Sequence, residues 1–234
     1  MLRLHVALGS MEWLIRHTTR DGQRPYFDPG DFPWCAELEA GWREIREELD
    51  EVLLHPETIP AFHELSPEQA AITTDQHWKT FVFSVFATPI RANCARCPRT
   101  AAWLQRIPGL RNALFSILSP GKHIPEHRGP YCGLLRYHLA LLTPRQNAAC
   151  VLTVAGETRT WQEGRSLIFD DAFPHAVRND SGDRRVVLFA DFERPLPWPL
   201  SAFNRVVLGW LAASPLAREP LARLGQGPDG LNLK

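Results

Sequence analysis

Between residues 81 and 192 the apolar residues come in short runs, each broken by glycine, proline, asparagine or aspartate. No helical pattern alternates with these runs from 113 to 192, and this constrains the fold more than any other feature of the chain. Residues 81–86, 113–118, 134–142, 150–154, 158–161, 166–169 and 186–192 read as strands. Parallel strands would need crossover connections, usually helices, and those are missing. The spacing therefore predicts a mainly β fold: a sandwich, a jelly roll or a barrel. Proline, at 20 of 234 residues, supports that choice. It has no backbone donor, so it suits turns and sheet edges and spoils long helices.

The flanks read as helical. Trp34, Leu38, Trp42, Ile45, Leu49, Val52 and Leu53 fall at helical spacing and predict one helix over 33–54. Residues 1–31 read as a short helix with a polar lead, 55–77 as an irregular loop, and 100–106 as a short helix. After Pro199, Leu200, Phe203, Val206, Val207, Trp210 and Leu211 share a helical face, and the last twenty residues read as a frayed polar tail. The expected organisation is an N-terminal extension over 1–77, a β core over 78–197, and a C-terminal helix and tail over 198–234.

Charge and cysteine content narrow the function classes. Lys+Arg and Asp+Glu are 26 each, so the basic excess of a nucleic-acid binder is absent. Five cysteines, an odd number, and no secretory leader predict reduced thiols and a cytoplasmic location. Cys94 and Cys97 form a CxxC with no second pair to complete a zinc site, and they read as structural thiols. No run reaches the ~18 apolar residues of a membrane span. The nearest, 200–213, is interrupted by Asn204 and Arg205, and peripheral membrane contact through 200–211 is a secondary reading.

Two clusters carry chemistry. His127 lies in a glycine- and proline-framed stretch from Ser116 to Pro130, and His175 follows the strand-like run ending at Phe169. Two histidines from separate strands can meet in one barrel mouth, and neutral imidazole suits zinc, copper, iron or nickel. The bland alternative is two packed or surface histidines. A two-histidine, one-carboxylate iron site commonly has its acid two residues after the first histidine, and here that residue is Gly129. Glu126, Asp170, Asp171 or water remain open as a third ligand. Arg136 and His138 share a strand face with Leu134 and Ala140, so a core-facing placement would demand a polar partner. A bound dicarboxylate is one such partner. Arg184 and Arg185 must point to opposite sides, and alternation leaves open which one faces inward.

Residues 78–195 resemble the aspartyl/asparaginyl β-hydroxylase family, which includes bacterial lipid A acyl hydroxylases. The segments that carry the resemblance are Ser116 with Ser119-Pro-Gly-Lys-His123, His127-Arg-Gly-Pro130, Leu135-Arg136-Tyr-His138-Leu139, the run from Trp161 to Asp171 with His175, and Arg185 with Asp191. Cys97-Pro-Arg-Thr100 and Glu193-Arg-Pro195 look closest to the lipid A branch. The resemblance implies a double-stranded β-helix of the cupin-like, jelly-roll type that uses Fe(II), 2-oxoglutarate and O2. By position, His127 and His175 match the iron-binding histidines. Arg185 matches the arginine that pairs with the far carboxylate of 2-oxoglutarate, and Ser116, Arg136 and His138 match residues lining the co-substrate site. The family lacks the triad carboxylate, which accounts for Gly129. The implied activity is hydroxylation of an unactivated carbon, first of all the β-carbon of an aspartyl or asparaginyl group in a peptide or carrier-bound amino acid. An acyl lipid substrate is the alternative, favoured if an apolar channel reaches the site. A non-catalytic module binding a metal or a small acid is a second alternative.

Overall fold

A computed structural model describes residues 2–66 and 72–225. Eight antiparallel strands form the centre: β4 (Leu110–Leu118), β5 (His123–His127), β6 (Leu134–Leu142), β7 (Cys150–Val154), β8 (Glu157–Arg159), β9 (Ser166–Phe169), β10 (His175–Asn179) and β11 (Arg185–Glu193). They are numbered after β1 (Tyr26–Phe27), β2 (Trp78–Val85) and β3 (Thr88–Pro89). One sheet runs β1-β9-β6-β11-β4-β2-β3 and the other β5-β10-β7-β8. The chain crosses repeatedly between the two, so β4, β6, β9 and β11 lie in one sheet and β5, β7, β8 and β10 in the other. That is the expected double-stranded β-helix.

The two sheets differ in burial, and their sequences show it. The larger sheet is covered on both faces. Leu135, Tyr137, Leu139 and Leu141 of β6 pack outward under helices, with Phe115 and Leu188 beside them. Ala140 of β6 faces inward with Leu114, Val187 and Phe189, toward Leu152 and Val177 of the smaller sheet. A strand buried on both faces reads as a near-continuous apolar run. The smaller sheet has one face in water, and β7 alternates buried and half-buried residues.

The helices cover the larger sheet and one end of the sandwich. They are α1 (Leu2–Thr18), α2 (Pro33–Ala40), α3 (Trp42–Val52), α4 (Phe62–Leu65), α5 (Arg91–Arg96), α6 (Pro98–Leu104), α7 (Leu200–Ala212) and α8 (Pro215–Arg223). Leu38, Ile45, Leu49 and Val52 fill the outer core, while Met11 and Ile15 of α1 meet Val207, Leu208 and Leu211 of α7. Buried Glu48 caps α6, accepting from the Arg99 and Thr100 amides at 2.9 and 2.7 Å and from Thr100 Oγ1 at 2.7 Å.

Several boundaries differ from the sequence expectation. The single helix over 33–54 is two helices, broken at Gly41, where a Cβ would run into the Trp103 ring. The first helix is long, and the loop over 55–77 contains α4. The strand expected at 81–86 starts at Trp78 and stops at Val85, because Phe86 and Ala87 turn at φ of 45° and 66°. The helix expected at 100–106 is α6, preceded by α5. The His127 cluster, expected at a strand end or turn, has His127 at the end of β5, whereas His175, expected in a turn, begins β10. The frayed tail begins with a helix, α8, in which Ala217 and Pro220 are buried, and its last residues, 226–234, lie outside the described residues.

Candidate active site

His127 and His175 are direct cross-strand partners between β5 and β10, and their ring centroids lie 4.2 Å apart. Each Nδ1 sits against a backbone carbonyl two residues earlier, Pro125 at 2.9 Å and Phe173 at 3.0 Å. A carbonyl can only accept, so each Nδ1 carries the proton and each Nε2 keeps its lone pair. This tautomer is the one a metal-binding imidazole needs when it binds through Nε2. Burial lowers the basicity of both rings. For His175 burial, helped by the Arg136 charge, pushes the pKa down to about 3.

The floor of the cavity comes from the larger sheet. His138 is buried between Trp161, Phe169 and Phe189, and its Nδ1 accepts from Trp161 Nε1 at 3.3 Å. Its Nε2 must then carry the proton, and that buried donor has no partner. Burial, followed by the charges of Arg185 and Arg136, holds this ring well below the ordinary histidine range, so it is neutral. Arg185 is 1% exposed, which makes it the inward member of its pair, whereas Arg184 is exposed. Its guanidinium lies 4.6 Å over the Trp161 ring and makes two long 3.4 Å contacts, to Ser116 O and Oγ. Ser116 Oγ itself accepts from Trp78 Nε1 at 3.0 Å. Arg185 Nε has no acceptor, and no carboxylate among the described residues pairs with this guanidinium. Burial pushes its pKa down to about 10.

Arg136 is placed differently. It is sandwiched by carboxylates, giving Nε to Asp191 at 2.9 Å and Nη2 to Asp171 at 2.7 Å. Asp191 is its cross-strand partner on β11 and also accepts from Asn112 of β4 at 3.0 Å. Burial opposes the Arg136 charge, but Asp171 and Asp191 hold its pKa above the ordinary value. Burial drives Asp171 upward, with Arg136 pulling against it.

All six residues singled out from the sequence, Ser116, His127, Arg136, His138, His175 and Arg185, line one cavity of about 30 Å³ between the sheets. Trp78, Ile124, Leu152, Phe169, Val177 and Phe189 complete its wall. Arg136 and Phe189 also line a second, apolar cavity of about 160 Å³, walled by Phe62, Leu65, Val82, Leu114, Leu134, Leu211, Leu216 and Leu224 among others. The two spaces thus meet at the Arg136–Phe189 pair. Sequence reasoning missed Trp78, Trp161 and the apolar cavity. The first two sit in recognisable strand or turn runs, but the cavity is closed by α4, α7 and α8, which meet only in three dimensions.

The third-ligand candidates resolve plainly. Glu126 is exposed on the outer side of β5. Asp170 is taken up by Arg194 at 2.7 Å and Arg16 at 3.2 Å. Asp171 is taken up by Arg136. Among the described residues no group of three or more His, Cys, Asp or Glu stands in metal-holding geometry. The donor set is therefore two imidazoles, facing orphaned donors on His138 and Arg185. Such a set fits a divalent metal whose remaining positions are filled by an anionic chelator. The five cysteines are free, and burial raises the Cys97 thiol to about 12, which suits an inert structural role. No helix among the described residues is long and apolar enough to cross a membrane.

Comparison with known proteins shows which family the chain belongs to. Residues 39–195 match the family described as aspartyl/asparaginyl β-hydroxylase. The ornithine lipid ester-linked acyl 2-hydroxylase of Rhizobium tropici is 43% identical over 200 residues, which cover 86% of this chain and 71% of that protein. Human aspartyl/asparaginyl β-hydroxylase is 30% identical over 174 residues, 70% of this chain but 23% of that much longer protein. Among solved structures, a cupin domain of an XRE family transcriptional regulator from Enterobacter cloacae covers 51% of this chain at 15% identity and a TM-score of 0.36. The family match spans two thirds of the sequence, and the chain belongs to the aspartyl/asparaginyl β-hydroxylase family.

Proposed function

We propose that this protein is an Fe(II)- and 2-oxoglutarate-dependent hydroxylase whose substrate is the acyl chain of a lipid. The observation that carries the co-substrate is Arg185. A guanidinium 1% exposed and without a carboxylate partner is costly to keep charged, and a dicarboxylate ligand removes that cost. When bound, iron and 2-oxoglutarate supply the oxidising chemistry that turns C–H into C–OH with O2, leaving succinate and CO2.

The protein's own part is holding and shielding. His127 and His175 offer two Nε2 lone pairs to the metal. Arg185 and Ser116 receive the far carboxylate, the 3.4 Å contacts between them being weak enough to exchange for it. His138 offers its unsatisfied Nε2–H as a further donor, in the tautomer that Trp161 fixes. Phe169, Leu152 and Val177 keep water from the reacting centre. The cavity now has room for little more than a water molecule, so co-substrate entry moves these side chains apart.

The substrate follows from the adjoining apolar cavity. Its volume of about 160 Å³ compares with the ~150 Å³ cavity that admits benzene, on the order of six carbons. Its lining is mostly leucine, valine, proline and phenylalanine, together with Ser66, Ser84, Asn112, Tyr131 and the Arg136 cluster. An aspartyl carboxylate would find no free guanidinium there, because Arg136 is already paired twice. The acyl specificity in the name of the Rhizobium relative supports the same choice.

The test has two stages. Anaerobic protein titrated with Fe(II) and 2-oxoglutarate should develop the visible charge-transfer band of the chelated pair, and His127→Ala should abolish it. No band in folded protein would favour a binding module. Mass spectrometry should then find a gain of one oxygen on an acyl-lipid substrate. Oxygen gained on an aspartyl or asparaginyl peptide, with none on lipid, would overturn the acyl assignment.

A further inference from the structure

The outward face of α7 has the wrong composition for water. Of its exposed residues from Ala202 to Trp210, only Arg205 is charged; the others are Ala202, Phe203, Val206, Gly209 and Trp210. Phe203, Val206 and Trp210 fall three and four residues apart, so they form one stripe, 41%, 48% and 49% exposed. Trp198, just before the helix, is 82% exposed. The opposite face, Val207, Leu208 and Leu211, is already buried against α1 and the β core. A surface helix normally turns polar residues outward, and a contiguous apolar stripe marks an interaction surface.

We infer that this face of α7 seats the protein on a lipid bilayer surface, on the opposite side of the helix from the apolar cavity. Three observations choose a bilayer over a second copy of the chain. First, the exposed aromatic surface of Trp198, Phe203 and Trp210 comes to roughly 400 Å² at the usual 150–250 Å² per ring, about half of the ~800 Å² per partner in a stable interface. Second, tryptophan flanked by arginine is the composition of the membrane–water boundary, where the ring sits among headgroups and the charge reaches phosphate. Exposed Arg205, Arg218 and Arg223 stand against Glu219 over 200–223, with Glu193 3.9 Å from Arg205 and Arg223 donating to the Glu64 carbonyl, which leaves a basic excess that favours an anionic surface. Third, α7 has two uses at once. Leu211 on its buried side lines the apolar cavity, as do Leu216, Pro220 and Leu224 just beyond it. A lipid under the outer face thus lies one helix diameter, about 10 Å, from the cavity wall. The choice of a bilayer rests in this third respect on the acyl reading above; the exposed stripe does not.

The test uses the full chain and vesicles of phosphatidylcholine with phosphatidylglycerol. Wild type should sediment with the vesicles, more strongly as the anionic fraction rises and less strongly with added salt. Phe203→Glu/Trp210→Glu should weaken that partition at least about tenfold. The variant should stay folded by circular dichroism and should process detergent-dispersed acyl lipid at the wild-type rate, since neither residue lines the cavity. Wild type remaining in the supernatant, or the variant sedimenting like wild type, overturns the inference. So does a wild-type dimer that the variant converts to monomer. If dispersed lipid is processed by neither protein while the sedimentation difference persists, the acyl reading fails and the membrane surface stands.

Discussion

Replacing Arg185 with methionine should move stability and co-substrate affinity in opposite directions. The guanidinium is buried, has no carboxylate partner among the described residues, and makes two 3.4 Å contacts to Ser116 besides a contact with the Cys150 thiol. Exchanging a buried charge for an apolar group of similar length is typically neutral to stabilising by about 1–4 kcal/mol. Against this stands the stacking on Trp161, worth up to about 2 kcal/mol when desolvated. The net runs from about −2 to about 4 kcal/mol, its middle roughly 1 kcal/mol in favour of the variant. At about 2–4 °C per kcal/mol for a chain of this size, that middle value has the unliganded variant melting roughly 2–4 °C higher. The co-substrate effect is the reverse. Removing one member of a buried, hydrogen-bonded charge pair costs about 2–5 kcal/mol, or roughly 30- to several thousand-fold in Kd. In a thermal scan, 2-oxoglutarate at 100 times the wild-type Kd stabilises wild type by about 2.7 kcal/mol, and that increment should fall below about 1 kcal/mol in the variant. Differential scanning fluorimetry with and without 2-oxoglutarate, paired with anaerobic calorimetry on Fe(II)-loaded protein, reads both quantities. A variant that melts more than a few degrees lower and binds 2-oxoglutarate normally would make Arg185 a structural residue and refute the reasoning.

Three further outcomes follow from the geometry. His175→Ala should remove one of only two imidazole donors and abolish stoichiometric Fe(II) binding, with the melting temperature little changed; retained iron by elemental analysis would remove His175 from the metal site. Trp161→Phe deletes the donor that fixes the His138 tautomer, so 2-oxoglutarate should bind about 3- to 10-fold more weakly, near the ~1 kcal/mol of one hydrogen bond; unchanged calorimetric affinity would show that the tautomer is set elsewhere. Leu216→Trp fills the apolar cavity without touching the imidazoles, so it should lower kcat/KM for long acyl chains while leaving the Fe(II)–2-oxoglutarate band intact; an unaltered chain-length profile in mass-spectrometric turnover would place the substrate elsewhere.

How much of this was legible in the sequence depended on which face of a strand meets water. Strand β11 is buried on both faces and β6 on nearly all of its length, and their apolar runs mark them to within a residue. Strands β5 and β10 are short, half in water, and carry histidine, glutamate and arginine. Pro125 is tolerated in β5 because that strand is a sheet edge. Their polar, interrupted sequences look like turns, yet they carry both imidazoles. The break at Gly41 was illegible for another reason: the apolar stripe continues through it, and only the approach of Trp103 from a distant helix explains it. In α8 the prolines suggested a tail. Pro215 stands at the first turn, where its missing N–H is harmless, and Pro220 is buried at the apolar cavity.

Gly129 shows why a two-histidine site here is not simply a triad with one member lost. Its amide donates to the Asp171 carbonyl at 2.7 Å, which draws the chain after β5 against the loop before β10. A Cβ at 129 would land on the Asp171 carboxylate. An aspartate or glutamate at 129 would therefore meet steric overlap and a like charge together, unless Asp171 left. Asp171 is held by Arg136, whose other side holds Asp191, so its departure would leave Arg136 half paired at the junction of the two cavities. The missing carboxylate, the arginine with two acids and the shape of that junction are thus one packing solution. Reinstating an acid at 129 alone would disturb the wall between the two cavities before it could stand beside the imidazoles.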